Sequence, residues 1–205
     1  MTDRELMQQA LDATLRLRPV ANAHIWKANL ALWQRGDVDS MRRILGEVTE
    51  AGRTFERYAI SRWELAMVSG RVDEGLDVLR SLTSNWLEDF QYVGPKSLLI
   101  AELLAVQGKT SSARLEFEAA LAAVRRERER TPNVALLHLL EGWALIGLGR
   151  AEEARPLAAA HEESLRRPYR VGIGAGLWHS IIAFHALSGS PAKAAVYLRE
   201  AVTTH

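Results

Sequence analysis

Histidine is the residue type in this chain with the greatest capacity for metal binding or acid–base catalysis, and the sequence contains six. Two of them, His179 and His185, lie six residues apart. A helix brings two side chains to one face when they are three or four residues apart, and helical zinc ligands follow that spacing. His161 precedes Glu162 and Glu163, which suits an ion-paired surface. We therefore predict no metal site and interpret the histidines as partly buried packing residues.

Glycines alternate along residues 172–176, after Arg166, Arg167 and Arg170. Backbone amides at the start of a helix can bind phosphate, but the dinucleotide fingerprint requires a preceding strand and a different glycine spacing. We interpret this stretch as a connection between helices. No serine, histidine and acid set stands out, and the absence of cysteine excludes thiolate ligands and cysteine nucleophiles. The sequence predicts no cofactor and no enzymatic activity, although catalytic groups could converge from separate segments.

The composition is that of an ordinary globular protein, with 48% hydrophobic and 25% charged residues. Lys and Arg number 26 against 25 Asp and Glu, so the chain lacks the basic excess that nucleic-acid binding usually needs. The alternating charges of residues 125–130 largely cancel and suit a solvated helix end. Residues 1–19 carry acids where a secretory signal needs an apolar core, and no apolar run reaches the ~18 residues of a membrane span. We expect a cytoplasmic protein that binds neither nucleic acid nor membrane.

The elements that would position any site are helices separated by glycine. Apolar residues recur at helical spacing on both sides of five glycines, which are Gly36, Gly70, Gly108, Gly149 and Gly189. These glycines are 34, 38, 41 and 40 residues apart. A helix commonly ends on a left-handed residue, a conformation that glycine adopts without steric cost, and Asp37, Thr110 and Ser190 follow as candidate caps. The repetition predicts five helix hairpins.

The predicted fold class is all-α, because no strand-like alternation appears. Residues 1–19 are predicted to form a capping segment, and its helix ends before Pro19. A single domain of residues 1–205 then contains hairpins at about 21–51, 54–83, 95–129, 132–167 and 172–204. Residues 85–93, NWLEDFQYV, form an aromatic insert in a turn-like context, which we expect to pack over the preceding hairpin.

Residues 20–204 resemble the tetratricopeptide repeat (TPR), whose pattern is Trp-x2-Leu-Gly-x2-Tyr, then Ala-x3-Phe and a later Pro. Five residues after the turn glycines, at the small packing position of that family, stand Met41, Gly75, Ala113, Ala154 and Ala194. Other matches are Phe117, Gly142 and Trp178, and the departures are Arg62, Trp63, Glu141 and His185. The resemblance extends to the TPR arrays of bacterial multidomain regulators. It implies a right-handed superhelical solenoid of about five hairpins, with a concave groove that binds a peptide or protein segment.

Groove-lining residues of that family fall ten, six and three positions before the turn glycine. The resemblance therefore implies a partner-binding groove formed by Trp26, Leu30, Trp33, Ile60, Glu64, Met67, Leu98, Glu102, Leu139, Trp143, Ile146 and His179. Trp26, Leu30 and Trp33 share one helix face. Trp26, Trp33 and Trp143 would be anchors, while Glu64 and Glu102 would favour a basic or amine-bearing ligand.

We therefore expect a non-enzymatic scaffold or adaptor that binds a protein or peptide partner in an apolar, aromatic-lined groove. The same surface could instead be the homodimer interface of a self-associating structural protein. A pocket for a small molecule or for catalysis is a third alternative. The face could also be buried, either by neighbouring helices or by the insert at residues 85–93.

Overall fold

The computed structural model describes residues 3–18, 20–89, 91–132, 134–158, 162 and 182–204. Over these ranges the chain is mostly helical, which confirms the predicted class apart from one short pair of strands. None of the helices in these ranges is long and apolar enough to cross a membrane. Tertiary contacts divide the chain into two compact units, Met1–Lys109 and Thr110–His205.

The first unit is built from seven short helices and a strand pair in its described residues. The helices are α1 Asp3–Leu17, α2 Ala21–Arg35, α3 Val38–Gly46, α4 Glu50–Arg53, α5 Glu56–Ser69, α6 Val72–Ser81 and α7 Lys96–Val106. Helix α2 packs on α3, α5 packs on α6, and α7 packs against both α5 and α6. The Asp37 carboxylate accepts the N–H of Ser40 at 2.9 Å, which confirms Asp37 as the cap that begins α3.

The aromatic insert contains two short strands, β1 Trp86–Glu88 and β2 Val93–Pro95, which pair antiparallel with Trp86 opposite Pro95. The expectation that the chain contains no strand was therefore wrong at this point. A strand of three residues is too short to show the alternation of apolar and polar residues by which strands are recognised. Leu87 of β1 is fully buried, whereas Phe90 lies outside the described residues.

An apolar core joins α2, α3 and α5, and it contains Ile25, Ala28, Met41, Ile44, Leu45, Val48, Tyr58 and Leu65. Met41 stands at the position that resembles the small packing residue of the TPR, and it is fully buried. At the equivalent position of the next pair, a side chain on Gly75 would overlap Ala66 and meet Leu103. Helix α6 can therefore lie close to α5 because position 75 carries no side chain.

The second unit contains α8 Thr110–Arg130, α9 Ala135–Gly147, α10 Ala151–Ala154, a 3-10 turn Arg155–Leu157, helical residues 182–187 and α11 Pro191–Thr204. The predicted second helix of the fourth hairpin changes to the 3-10 turn at Pro156, which has no N–H to donate to an α-helix. Helix α8 packs along α9, where the ring of Phe117 lies against Gly147. The ring of Phe184 lies against Gly142. Trp178 lies outside the described residues.

The five turn glycines adopt the predicted left-handed conformation. Their φ angles run from 64° at Gly36 to 79° at Gly189, and no other described residue has a positive φ. Lys109 donates its N–H to the carbonyl of Leu104 at 2.9 Å, five residues earlier, which caps the end of α7. A side chain at these positions would strain the backbone, so the glycines are required by the turns themselves.

Two charged residues that depart from the TPR pattern are neutralised by ion pairs. The guanidinium of Arg62 lies 2.8 Å from the carboxylate of Glu74. Glu141 is only 3% exposed, and its carboxylate lies 2.9 Å from Nε of Arg125 and also pairs with Arg128. Arg125 is exposed and Arg128 is partly exposed, in keeping with the solvated end predicted for residues 125–130, and these two arginines also compensate a buried charge.

Candidate functional site

Three helices of the first unit, α2, α5 and α7, carry eight of the predicted groove residues. Leu30, Ile60 and Leu98 are buried, so they belong to the protein interior. Trp33 is 48% exposed, and the remaining four are partly exposed, namely Trp26, Glu64, Met67 and Glu102. A partner could therefore reach only the second group.

The two tryptophans of α2 contact each other and reach α5. The rings of Trp26 and Trp33 meet edge to face with their centroids 6.1 Å apart. The indole Nε1 of Trp33 donates a hydrogen bond to Oε1 of Glu64 at 2.7 Å. Burial raises the pKa of Glu64, and the hydrogen bond from Trp33 opposes that shift. The hydrogen bond holds an exposed aromatic side chain in a defined orientation.

Arg57 forms the border of this aromatic pair. Its guanidinium lies 5.4 Å from the ring centroid of Trp26, a distance typical of a cation–π contact, and 3.0 Å from a carboxylate oxygen of Asp89. The backbone N–H of Glu88 also donates to the carboxylate of Glu56 at 2.8 Å. The strand pair is thus fixed to the start of α5, as the predicted packing of the insert over the preceding hairpin requires.

Glu102 of α7 is the least compensated acid of this region. It takes part in no hydrogen bond or ion pair in the described structure. Its side chain keeps some exposure to solvent, but protein surrounds most of the carboxyl, and this burial raises its pKa to about 8. Burial also raises the pKa of Tyr92, and the negative charge of Glu102 raises it further. The hydroxyl of Tyr92 donates to the carbonyl of Pro95 at 2.8 Å.

We refer to these side chains together as the aromatic–acidic cluster, which consists of Trp26, Trp33, Arg57, Glu64, Asp89, Tyr92 and Glu102. The groove residues implied by the TPR resemblance did not include Arg57, Asp89 and Tyr92. Arg57 lies seven residues before Glu64, a spacing that returns to the same face of a helix, so its placement near the tryptophans had a sequence signal. No sequence signal indicated the placement of Asp89 and Tyr92, because it depends on the strand pair.

An open depression of about 440 Å³ lies at the Arg57 end of the cluster and is lined by Asn22, Thr54, Phe55, Glu56, Arg57 and Asp89. Phe55 is 45% exposed there. The cluster therefore continues into a shallow concavity that contains one further exposed aromatic ring, both signs of charge and the amide of Asn22.

Two fully buried polar residues lie on the same helices. Asn29 is four residues before Trp33 on α2, and Ser61 is three residues before Glu64 on α5. Asn29 therefore shares a helix face with Trp33, and Ser61 shares one with Glu64. Neither side chain has a hydrogen-bond partner. A buried polar group without a hydrogen-bond partner costs stability, so Asn29 and Ser61 are unfavourable residues in the interior of this unit.

The remaining predicted groove residues belong to the second unit. Leu139 is buried, whereas Trp143 and Ile146 are partly exposed. The Trp143 and Phe184 rings meet edge to face with centroids 6.2 Å apart. His179 lies outside the described residues.

His185 is a buried packing residue in this structure. Its Nε2 lies 2.7 Å from Oε1 of Glu162, and its ring stacks on Tyr197 with centroids 5.5 Å apart. Burial lowers the pKa of His185, and Glu162 opposes that shift. Among the described residues there is no group of three or more histidines and acids that could hold a metal ion.

The cluster offers aromatic surface and carboxylates that can accept hydrogen bonds, an arrangement suited to binding a group that is both apolar and cationic. No protein-family model and no curated protein matches the chain, so these comparisons assign no role to the cluster.

Proposed function

We propose that this protein is a non-enzymatic interaction module that holds a basic, partly apolar segment of a partner protein at the aromatic–acidic cluster. The observation that carries the proposal is the side chain of Trp33, which is 48% exposed and fixed by its hydrogen bond to Glu64. A large aromatic side chain that is exposed yet held in place loses little conformational entropy when a partner covers it.

The charge of the cluster sets the chemistry of the partner. Glu64 has a hydrogen bond but no cationic partner, and Glu102 has neither. The single arginine of the cluster, Arg57, is already paired with Asp89. An incoming cation therefore meets two carboxyl groups that lack a cationic partner and lie in a cluster with aromatic rings, whereas an acidic segment would find no unpaired cation in the cluster.

We further propose that the helix pairs are TPR-like repeats. The residues five positions after the turn glycines, where the family has its small packing residue, are all buried, namely Met41, Gly75, Ala113, Ala154 and Ala194. The turn glycines recur at intervals of 34 to 41 residues and share one backbone conformation. Repeats of this kind bind extended or helical segments with their first helices, and α2 and α5 are the first helices of the pairs α2–α3 and α5–α6.

The proposal is tested by selecting binding peptides from a random displayed library on the full chain. We expect the selected peptides to combine basic and apolar residues. Trp33→Ala should weaken their binding about tenfold or more, because it removes the aromatic side chain that contacts the peptide. Glu64→Gln should weaken binding less, because Glu64 orients the Trp33 side chain. Leu115→Ala is the matched control, because Leu115 is 68% exposed on α8 and lies outside the cluster.

Peptides that bind wild type, Trp33→Ala and Glu64→Gln equally would overturn the proposal. Light scattering over a range of protein concentrations separates it from self-association. A dimer that dissociates on Trp33→Ala substitution would show that a second copy of this chain occupies the cluster.

A further inference from the structure

We propose that the bound segment places the guanidinium group of an arginine side chain in the depression at the Arg57 end of the aromatic–acidic cluster, on the ring of Phe55 and the carboxylate of Glu56. This inference rests on the proposed function and names the basic group that this part of the surface recognises. It depends on four features of the depression, which are its access from solvent, its excess of negative charge, its acceptor atoms and its distance from Trp33.

The first feature is access from solvent. The depression is open, has a volume of about 440 Å³, and has Phe55, Glu56 and Arg57 together in its lining. The side chain of Phe55 is 45% exposed, and Glu56 and Arg57 are partly exposed. A side chain of a partner can therefore reach both the aromatic ring and the carboxylate from solvent.

The second feature is a carboxylate without a cation. Two acids and one arginine line the depression. Arg57 pairs with Asp89 at 3.0 Å, so these two charges cancel and Glu56 is the acid that remains. Glu56 forms no ion pair with any described residue. The preceding cation in the sequence, Arg53, donates to two backbone carbonyls instead. An incoming cation would therefore remove the excess of negative charge.

The third feature is a set of acceptor atoms. The backbone N–H of Glu88 donates to Oε2 of Glu56 at 2.8 Å, which holds the carboxylate in place and leaves Oε1 free to accept. Thr54 donates its hydroxyl hydrogen to the carbonyl of Ala51 at 2.8 Å, so its oxygen can only accept from a further partner. The amide oxygen of Asn22 is another acceptor in the lining. A guanidinium group has five N–H donors and no acceptor, which suits this lining.

The exposed ring of Phe55 favours arginine over lysine. A guanidinium group is planar and weakly hydrated, so it can stack on an aromatic ring while its edge donates to a carboxylate. Arg57 makes this combination of contacts within the chain, because its guanidinium lies 5.4 Å from the ring centroid of Trp26 and its Nε donates to Asp89. A lysine ammonium is a compact, strongly hydrated charge, and an open depression does not remove its water.

The fourth feature is the distance from Trp33. The ring centroids of Trp33 and Trp26 are 6.1 Å apart, and the guanidinium of Arg57 lies 5.4 Å from the Trp26 ring. Arg57, which lines the depression, therefore lies within about 12 Å of the Trp33 ring, a distance that an extended segment covers in about four residues. We expect the arginine of a bound segment to lie about three to six positions from the residue that covers Trp33.

The test is an NMR titration of the full chain with Nα-acetyl-L-arginine N-methylamide, observed at the backbone amides. The lysine and citrulline analogues are the comparison ligands, because lysine changes the shape of the cation and citrulline keeps the shape of arginine without its charge. We expect saturable shifts at residues 54–57 with the arginine analogue, and binding at least about fivefold weaker with the other two.

Two variants test the residues that hold the guanidinium. Glu56→Gln retains an acceptor for the N–H of Glu88 but removes the charge, and it should weaken arginine binding about tenfold. Phe55→Leu retains an apolar side chain but removes the ring, and it should weaken arginine binding about two- to fivefold. Because Phe55 is exposed, this second variant keeps the test independent of any folding defect in Glu56→Gln. Asp77→Asn, which changes an exposed acid of α6, should have no effect.

The peptides selected on the full chain test the position of the arginine. Those that depend on Trp33 should carry an arginine about three to six positions from an apolar residue. Replacement of that arginine by citrulline should weaken binding to wild type about tenfold, and it should weaken binding to Glu56→Gln much less.

Absence of shifts at residues 54–57 with about 50 mM arginine analogue, a concentration that would detect even a very weak site, would overturn the inference. Equal binding of the lysine or citrulline analogue, or undiminished binding to both variants, would do the same. If selected peptides still depend on Trp33 in that case, the proposed function stands and only the arginine assignment fails. If the arginine analogue binds as expected but no peptide depends on Trp33, the arginine site stands and the proposed function fails.

Discussion

The indole nitrogen of Trp33 on α2 donates to a carboxylate oxygen of Glu64 on α5 across a distance of 2.7 Å. The two residues are 31 positions apart in the chain, and both are predicted groove residues from successive helix pairs. The same contact that orients an exposed aromatic side chain therefore also ties the two pairs together. It can be tested both as a stabilising interaction and as part of a binding surface.

A double-mutant cycle with Trp33→Phe and Glu64→Ala should give a coupling energy of about 1–2 kcal/mol, because phenylalanine cannot donate the hydrogen bond and alanine cannot accept it. The free energy of unfolding would be measured by urea denaturation at pH 7. The control is a second cycle that combines Trp33→Phe with Glu50→Gln. Glu50 is an exposed acid of α4, so this cycle should show no coupling. Additive effects in the first cycle would mean that the hydrogen bond contributes nothing to stability.

The contrast between the turn glycines and the aromatic–acidic cluster shows what local sequence can predict. A left-handed helix end favours glycine whatever surrounds it, so Gly36 and its four counterparts were visible as a pattern. Glu64 and Glu102 were named through the resemblance. The Arg57–Asp89 pair was not predicted, because it depends on a strand pair whose three-residue strands carry no pattern and on contacts over 32 positions.

Gly142→Ala should destabilise the protein by about 1–3 kcal/mol, because the added methyl group would overlap the ring of Phe184. Gly46→Ala is the matched control in a helix, since a methyl group there meets no atom within 4 Å. Gly46→Ala should be neutral or should stabilise the protein by about 0.4–1 kcal/mol, because alanine lowers the conformational entropy of the unfolded chain. Chemical denaturation would measure both, and equal effects would contradict the close approach at Gly142.

Deletion of residues 1–18 should lower stability by about 2 kcal/mol or more, because α1 covers part of α2. Leu11 and Leu15 of α1 are partly buried, and Asp12 lies 2.6 Å from Nζ of Lys27 on α2. The deletion should leave peptide binding at the cluster intact. A shortened protein with an unchanged melting temperature would show that α1 does not act as a cap.

The stability of the wild-type protein should fall as pH rises from about 5 to 8. Burial raises the pKa of Glu102 from 4.5 to about 8, so in this interval the folded state keeps a proton that the unfolded state releases. The contribution of Glu102 is therefore greatest below pH 4.5 and is lost progressively up to pH 8. The full loss is of the order of 3–5 kcal/mol, at 1.36 kcal/mol per unit of pKa shift.

Glu102→Gln should abolish most of this dependence, because glutamine has a similar shape and does not titrate. Thermal melting of both proteins at several pH values between 5 and 9 provides the measurement. The variant should match or fall slightly below wild type at pH 5 and should exceed it at pH 8. Burial also raises the pKa of Glu64, so some decline with pH should remain in Glu102→Gln and should disappear when Glu64→Gln is added. Parallel melting curves for wild type and Glu102→Gln would show that the carboxyl of Glu102 ionises as freely in the folded chain as in water.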